Sequence, residues 1–240
     1  MDIFWRLLFG HLLADFTLQA NFINRWKRSS LFGMLVHCAL HPLCYVLLTW
    51  GSLSAYWVDT SALRMNGWLC VLLLFAAHFI EDEWRVMTIF KYKTPDNTLY
   101  FIWDQIIHVA VIFAIVPLGL IGSGQPWLPE KWPVLGCLAV LVTHTATVGM
   151  YFLEKDLHGG SFPGGDEKYL GMVERLVLAL TFLMPGHAWL GLAPLWLGFM
   201  YMLRSRRWLD LSWFSFGFGS IVGGVCGLAA RWVYYGFAGS

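Results

Sequence analysis

Eight ionisable side chains interrupt the apolar runs of this sequence as four pairs of one spacing: His11 and Asp15, His37 and His41, His78 and Asp82, Asp104 and His108. A separation of four places both members on one helical face, one turn apart. Inside a membrane helix each such group costs about 2.5–3.5 kcal/mol on insertion and marks a functional site by default. Imidazole with carboxylate is the ligand set of zinc, manganese or iron, whereas oxygen-only sites suit magnesium or calcium. Five imidazoles and three carboxylates could hold two metals about 3.5–4 Å apart, as in phosphoester hydrolysis. They could equally form one closed metal site whose remaining side chains orient the ligands.

The pairs recur as a block. Adding 67 to 11, 15, 37 and 41 gives 78, 82, 104 and 108 without a gap, and only His37 changes type, to Asp104. The two stretches, 1–57 and 67–121, therefore read as parallel helical hairpin repeats within a single 240-residue domain, followed by C-terminal helices over 133–240. Repeats in the same membrane orientation are related by an axis along the membrane normal.

The elements that must position these residues are membrane helices. The chain is 58% hydrophobic and 13% charged with 14 Trp, against roughly 45–50% apolar and a quarter charged in soluble domains. That balance excludes a soluble enzyme, a nucleic-acid module and a disordered linker; a net charge of +1 gives no long-range field. About 20 apolar residues span the hydrocarbon, which predicts an all-α, polytopic protein. Helices are expected near 3–20, 32–57, 67–89, 99–121, 133–153, 170–184, 187–204 and 213–236. The sixth and seventh are joined by only Pro185-Gly186-His187 and could be a re-entrant hairpin, so seven or eight crossings are expected. The N-terminus lacks a basic leader and a small-residue cleavage site, and reads as a retained helix.

Arg25, Lys27 and Arg28, then Arg85, Lys91 and Lys93, then Lys155 and Lys168, then Arg204, Arg206 and Arg207 follow the odd-numbered spans. Those loops are expected in the cytoplasm of a multi-pass inner-membrane protein, with the N-terminus outside. Trp5, Trp50, Trp57, Trp68, Trp127 and Trp132 crowd the opposite interface. The four pairs then fall roughly 8–18 Å below the cytoplasmic boundary, with His144 of the fifth span at a similar depth and Glu174 and Arg175 opening the sixth.

Other features are weighed against plainer readings. Gln19 either supports a ligand side chain or sits at the membrane interface, and His158 and His187 lie in loops. Glu81 and Arg85 are four apart, without the partner motifs of an intramembrane protease. The stretch Gly159–Gly165 is a connector or a lid. Ser215, Gly219, Gly223 and Gly227 make a small-residue stripe that lets a helix approach closely, within the chain or across a homodimer. Cys38, Cys44, Cys70, Cys137 and Cys226 lie in apolar runs and read as buried small hydrophobes.

The string Gly10-His11-Leu12-Leu13-Ala14-Asp15-Phe16 with Gln19 and Lys27, then His78, Asp82 and Arg85, then Asp104, Gln105 and His108, resembles the bacterial integral-membrane family called domain of unknown function 3307. Arg85 stands where the family pattern has Lys. Gly171 to Arg175 resembles a later G-x2-E-R element, carrying the similarity to about residue 180. The resemblance supports the choice of residues and brings no activity with it.

Three function classes follow. The first is a metal-dependent hydrolase of a lipid, or of a lipid-linked phosphate or amide, at the cytoplasmic leaflet. In it His11, Asp15, His41, His78, Asp82 and His108 bind one or two divalent transition metals, zinc first, manganese or iron otherwise. His37, Asp104 and Glu174 are its candidate catalytic groups; Gln19, Arg85, Gln105, His144 and Arg175 support ligands or substrate. The second is a transporter or channel for divalent metal or protons. The third is a non-catalytic membrane subunit whose polar cluster fixes packing.

Overall fold

The long apolar runs become helices even where they hold Pro42, Pro133 or Pro194, and each expected span overlies one within the described residues. The computed structural model describes residues 1–117, 128–159, 165–206 and 212–236, and divides them into two compact units, Met1–Cys137 and Leu138–Ser240. The stretch called a connector or lid, and Trp127 and Arg207, lie wholly or largely outside the described residues.

In the first unit α1 (Asp2–Leu12) runs on into a single π-helical turn, Leu13–Thr17. The Leu18 N–H donates to the Leu13 carbonyl, five residues back, at 2.8 Å. A short helix α2 (Asn21–Ser29) follows where a plain basic loop was expected. It packs on α3 (Leu31–Thr49) so closely that a Cβ on Gly33 would enter the Trp26 backbone. Pro42 inside α3 deprives the Cys38 carbonyl of its helical donor, one turn from His41.

A short antiparallel hairpin, β1 (Tyr56–Asp59) and β2 (Arg64–Asn66), then leads into α4 (Gly67–Lys91) and α5 (Thr98–Ile115). The second expected span therefore ends earlier than residue 57, at Thr49 with a 3-10 turn to Ser52. Helices α3 and α5 begin 67 residues apart (98 − 31), each on a side-chain cap: Ser30 accepts from the Gly33 N–H, Asn97 from the Tyr100 N–H. One apolar core holds Leu7 with Leu74, Tyr45 with Ile112 and Ile3 with Cys70, all pairs at that same offset. This core closes the hairpin end of the unit.

The helical run Lys131–His158 spans the boundary between the units: α6 (Lys131–Val140), a π-helical turn at Leu141–Thr145, then α7 (Ala146–His158). Helices α8 (Gly165–Thr181), α9 (Trp189–Ser205) and α10 (Trp213–Tyr235) complete the second unit. The small-residue stripe of α10 packs against α8. A Cβ on Gly219 would sit 3.2 Å from Arg175 Cδ, and one on Gly223 would sit 3.0 Å from Leu178 Cδ2.

Among the described residues, four helical stretches are long and apolar enough to cross a membrane: Leu31–Ser52, Thr98–Ile115, Lys131–His158 and Trp213–Tyr235. Helices α8 and α9 stop at 17 residues each, and α4 carries the acidic run Glu81-Asp82-Glu83.

Candidate metal centre

All four His/Asp pairs converge in the first unit, every member at most 8% exposed. Helices α1 and α4 bring His11, Asp15, His78 and Asp82, and α3 and α5 bring His37, His41, Asp104 and His108. The π turn carries Asp15 into the middle of them.

Asp15 Oδ1 lies 3.3 Å from His37 Nε2, 3.2 Å from His41 Nε2 and 3.6 Å from His78 Nε2. His37 Nε2 and His78 Nε2 are 3.5 Å apart. Zinc bonds of about 2.0–2.1 Å in a tetrahedron put neighbouring ligand atoms about 3.3–3.4 Å apart, so these separations are those of tetrahedron edges. The His37–His78 contact meets hydrogen-bond geometry, but those of Asp15 Oδ1 do not, and Asp15 Oδ1 and His41 Nε2 are buried without an aligned partner. Unpaired polar atoms at such depth are costly unless something else binds them. Asp15, His37, His41 and His78 thus form a buried group able to hold a metal ion, and Cys38, His78 and Asp82 form an adjoining one.

Charge points the same way. Lys27 Nζ, from α2, lies 3.0 Å from Asp82 Oδ2 and 3.2 Å from His37 Nε2. With neutral imidazoles, two buried carboxylates face one ammonium, leaving a net negative charge that a cation would offset.

Around this centre runs a chain of polar contacts. Arg28 donates to Asp96 at 2.7 Å, Arg85 donates to Asp96 at 3.3 Å and to Asp104 at 2.6 Å, and Gln105 donates to Asp104 at 3.1 Å. The amide oxygen of Gln105 stands 3.4 Å from His11 Nε2. His108 donates through Nδ1 to the Asp104 carbonyl at 2.8 Å, which aims its Nε2 toward Glu81 Oε2 at 3.6 Å. A ring fixed by a backbone carbonyl in this way is the usual posture of a metal-binding histidine.

Several assignments change. His37, expected as a catalytic group, stands among the candidate ligand atoms. Arg85 pairs with Asp96 and Asp104, so Glu81 and Arg85 are not partners. Gln19 follows the π turn, and its Oε1 is buried without a hydrogen bond. Glu174, Arg175 and His144 belong to the second unit. There Glu174 is clasped by Arg204 at 3.0 and 2.6 Å; it neither pairs with Arg175 nor stands open to a headgroup. Arg175 donates to the Val142 and Thr143 carbonyls and to the Thr147 hydroxyl, in and beside the π turn. His144 Nδ1 lies 3.1 Å from Thr143 Oγ1.

Sequence reasoning passed over Lys27 as a site residue, Glu81 and Cys38. Lys27 looked like an orientation signal, and Cys38 like a buried hydrophobe. Glu81 was detectable, because the 67-residue offset sets it opposite Ala14.

A family model described as protein of unknown function (DUF3307) matches residues 3–132. This covers nearly all of the first unit and stops short of the Gly171–Arg175 element. No curated protein and no solved structure matches the chain.

Proposed function

We propose, from the premise that the chain belongs to the DUF3307 family of proteins of unknown function, that its first unit is a metal-dependent membrane hydrolase. Its substrate is a lipid, or a lipid-linked phosphate or amide, reached from the cytoplasmic side of the inner membrane. The observation that carries this reading is the buried group of Asp15, His37, His41 and His78, whose candidate ligand atoms lie within 4.8 Å of one another, with Asp15 Oδ1 3.2–3.6 Å from the three imidazole nitrogens. Asp15, His37, His41 and His78 would hold a zinc, manganese or iron ion there, which would supply Lewis acidity to a substrate oxygen provided that one of the four ligands yields its place or a fifth position opens, since four protein ligands close a tetrahedron.

The chain's own residues do the rest. Lys27 holds Asp82 and balances its charge, Arg85 fixes Asp104, and the Asp104 carbonyl orients His108. A transporter would need a polar path through the hairpin end, where Leu7, Tyr45, Leu74, Ile112 and Val116 pack as an apolar plug. That plug supports a site open at one end only, the end bearing Lys27, Arg28 and Asp96. The 67-residue offset shared by the polar pairs, the helix starts and the core supports parallel hairpin repeats. Seven or eight crossings, with the N-terminus outside, complete the proposal.

Elemental analysis of detergent-purified protein tests it. Wild type is expected to carry one or two equivalents of transition metal, and the Asp15→Ala/Asp82→Ala variant none. Metal-loaded wild type should then release product from phospholipid vesicles, and His78→Ala should not. No metal in folded wild type, purified without chelators, overturns the reading in favour of a packing network. Metal flux into sealed vesicles without lipid turnover overturns it in favour of a transporter.

A further inference from the structure

The 67-residue offset, applied to the cluster in space, generates a counterpart of the first ligand group. Asp15, His37 and His41 map to Asp82, Asp104 and His108, while His78 maps back to His11 (78 − 67). The molecule departs from this mapping at two positions: His11 stays outside the group, its Nε2 3.4 Å from Gln105 Oε1 and 3.5 Å from Asp15 Oδ2, and the Asp82 position is exchanged. Asp82 is drawn to Lys27 and His37, and the neighbouring Glu81 supplies a carboxylate instead.

Glu81, Asp104 and His108 offer ligand atoms within 4.8 Å of one another. His108 is 4% exposed, and its Nε2 has no hydrogen-bond partner while facing Glu81. Glu81 Oε1 is buried and unpaired as well. Beside Glu81 and His108, though not reaching Asp104, lies a small pocket bounded also by His11 and His78 and by the apolar side chains of Tyr45, Leu74 and Ile112, with room for about one water.

We infer that Glu81, Asp104 and His108 form a second divalent-cation site, chemically unlike the first. The first group has three imidazoles and one carboxylate and suits zinc; this one has two carboxylates, one imidazole and space for water, which suits manganese or magnesium. Arg85, 2.6 Å from Asp104, places a positive charge beside it and makes the ion exchangeable. The inference shares the proposed metal chemistry of the first group but is read out by a different ion.

The test is Mn2+ titration of zinc-loaded protein followed by electron paramagnetic resonance, on wild type and Glu81→Gln. Wild type should bind about one Mn2+ with zinc retained. Glu81→Gln should keep its zinc, which also reports that it is folded, and bind Mn2+ at least tenfold more weakly. Zinc in wild type with no specific Mn2+ signal overturns this inference and leaves the proposed function standing. Equal Mn2+ affinity in the two proteins overturns it too. Mn2+ binding that depends on Glu81 in a protein without zinc supports the second site and counts against the first. Absence of both ions overturns both.

Discussion

Both units bury charge in apolar surroundings and both leave some of it unpaired, Arg204 Nε and Glu154 Oε1 in the second unit included, but among the described residues only the first unit gathers unpaired atoms into groups of candidate ligands. In the second, Glu174 receives two hydrogen bonds from Arg204, Arg175 is spent on two carbonyls and a hydroxyl, and Arg231 donates to the carbonyls of Phe182, Met184 and Gly186. In the first, Asp15 Oδ1, His41 Nε2, Glu81 Oε1 and His108 Nε2 are buried without a partner although other polar atoms stand close by. Saturated buried charge is scaffold, closing helix ends and the widened π turn. Unsaturated atoms crowded at ligand spacing form a group that could hold a metal ion, because unmade hydrogen bonds at that depth destabilise the fold unless an ion replaces them. Away from the site Arg6 donates to Asp2 Oδ2 and to the Leu48 carbonyl, both at 2.9 Å, though Asp2 Oδ1 is buried without a partner.

The largest test of this division lies in the second unit. Arg204→Leu strands the Glu174 carboxylate and should destabilise the protein by about 3–5 kcal/mol, measured by thermal or denaturant unfolding in detergent. Adding Glu174→Leu should restore most of the loss, since removing both partners leaves no buried charge. Metal content per folded molecule should stay at the wild-type value. A fall in that content would join the clasp to the site and break the comparison.

His78→Ala should reverse the pattern. Metal affinity should drop by at least about a hundredfold, the upper range for losing even an outer-shell partner. The metal-free variant should unfold within about 1–2 kcal/mol of metal-free wild type, because His78 anchors no saturated network. Competition with a graded series of chelators, beside melting curves of the apo forms, reads both quantities. A variant that keeps its metal but unfolds easily would make the cluster scaffold after all.

How much of this was visible beforehand depended on the cost of each feature. Polar residues in an apolar run are expensive enough to stand out, so His11, Asp15, His37, His41, His78, Asp82, Asp104 and His108 were legible, and their spacing of four fixed a shared helical face. Partner choice was not legible. Nothing local says that Glu174 turns to Arg204, thirty residues on, and not to its neighbour Arg175. The hairpin at Tyr56–Asp59 and Arg64–Asn66 is too short for a two-residue period to show, and it begins inside what reads as the end of a membrane span. Helix α2 has only nine residues, with basic groups that answer equally well to a topology rule, so Lys27 entering the centre could be found only in three dimensions.

Lys27 supplies the next smaller effect, with a sign that separates two roles. Its ammonium stands 3.0 Å from Asp82 and competes with any cation bound beside that carboxylate. Lys27→Met should therefore tighten metal binding, on the order of tenfold at the screening of a partly buried pair, in the same chelator competition. Weaker binding would show instead that Lys27 holds the ligands in place, and would move it from charge balance to scaffold.

The smallest effects belong to the helix caps, which test whether fold and site separate inside one unit. Asn97 accepts from the Tyr100 N–H and opens α5, seven residues before Asp104; Ser212 accepts from the Ser215 N–H and opens α10. Replacing either cap by Ala should cost about 1 kcal/mol, visible as a modest shift of the unfolding midpoint. Both variants should bind metal as wild type does, because a cap sets how firmly a helix begins and not where its inner turns face. If Asn97→Ala lost metal while Ser212→Ala did not, at equal stability, the start of α5 would belong to the centre. Scaffold and site in the first unit would then be one structure, and the contrast between the units would hold only for the charges of the second.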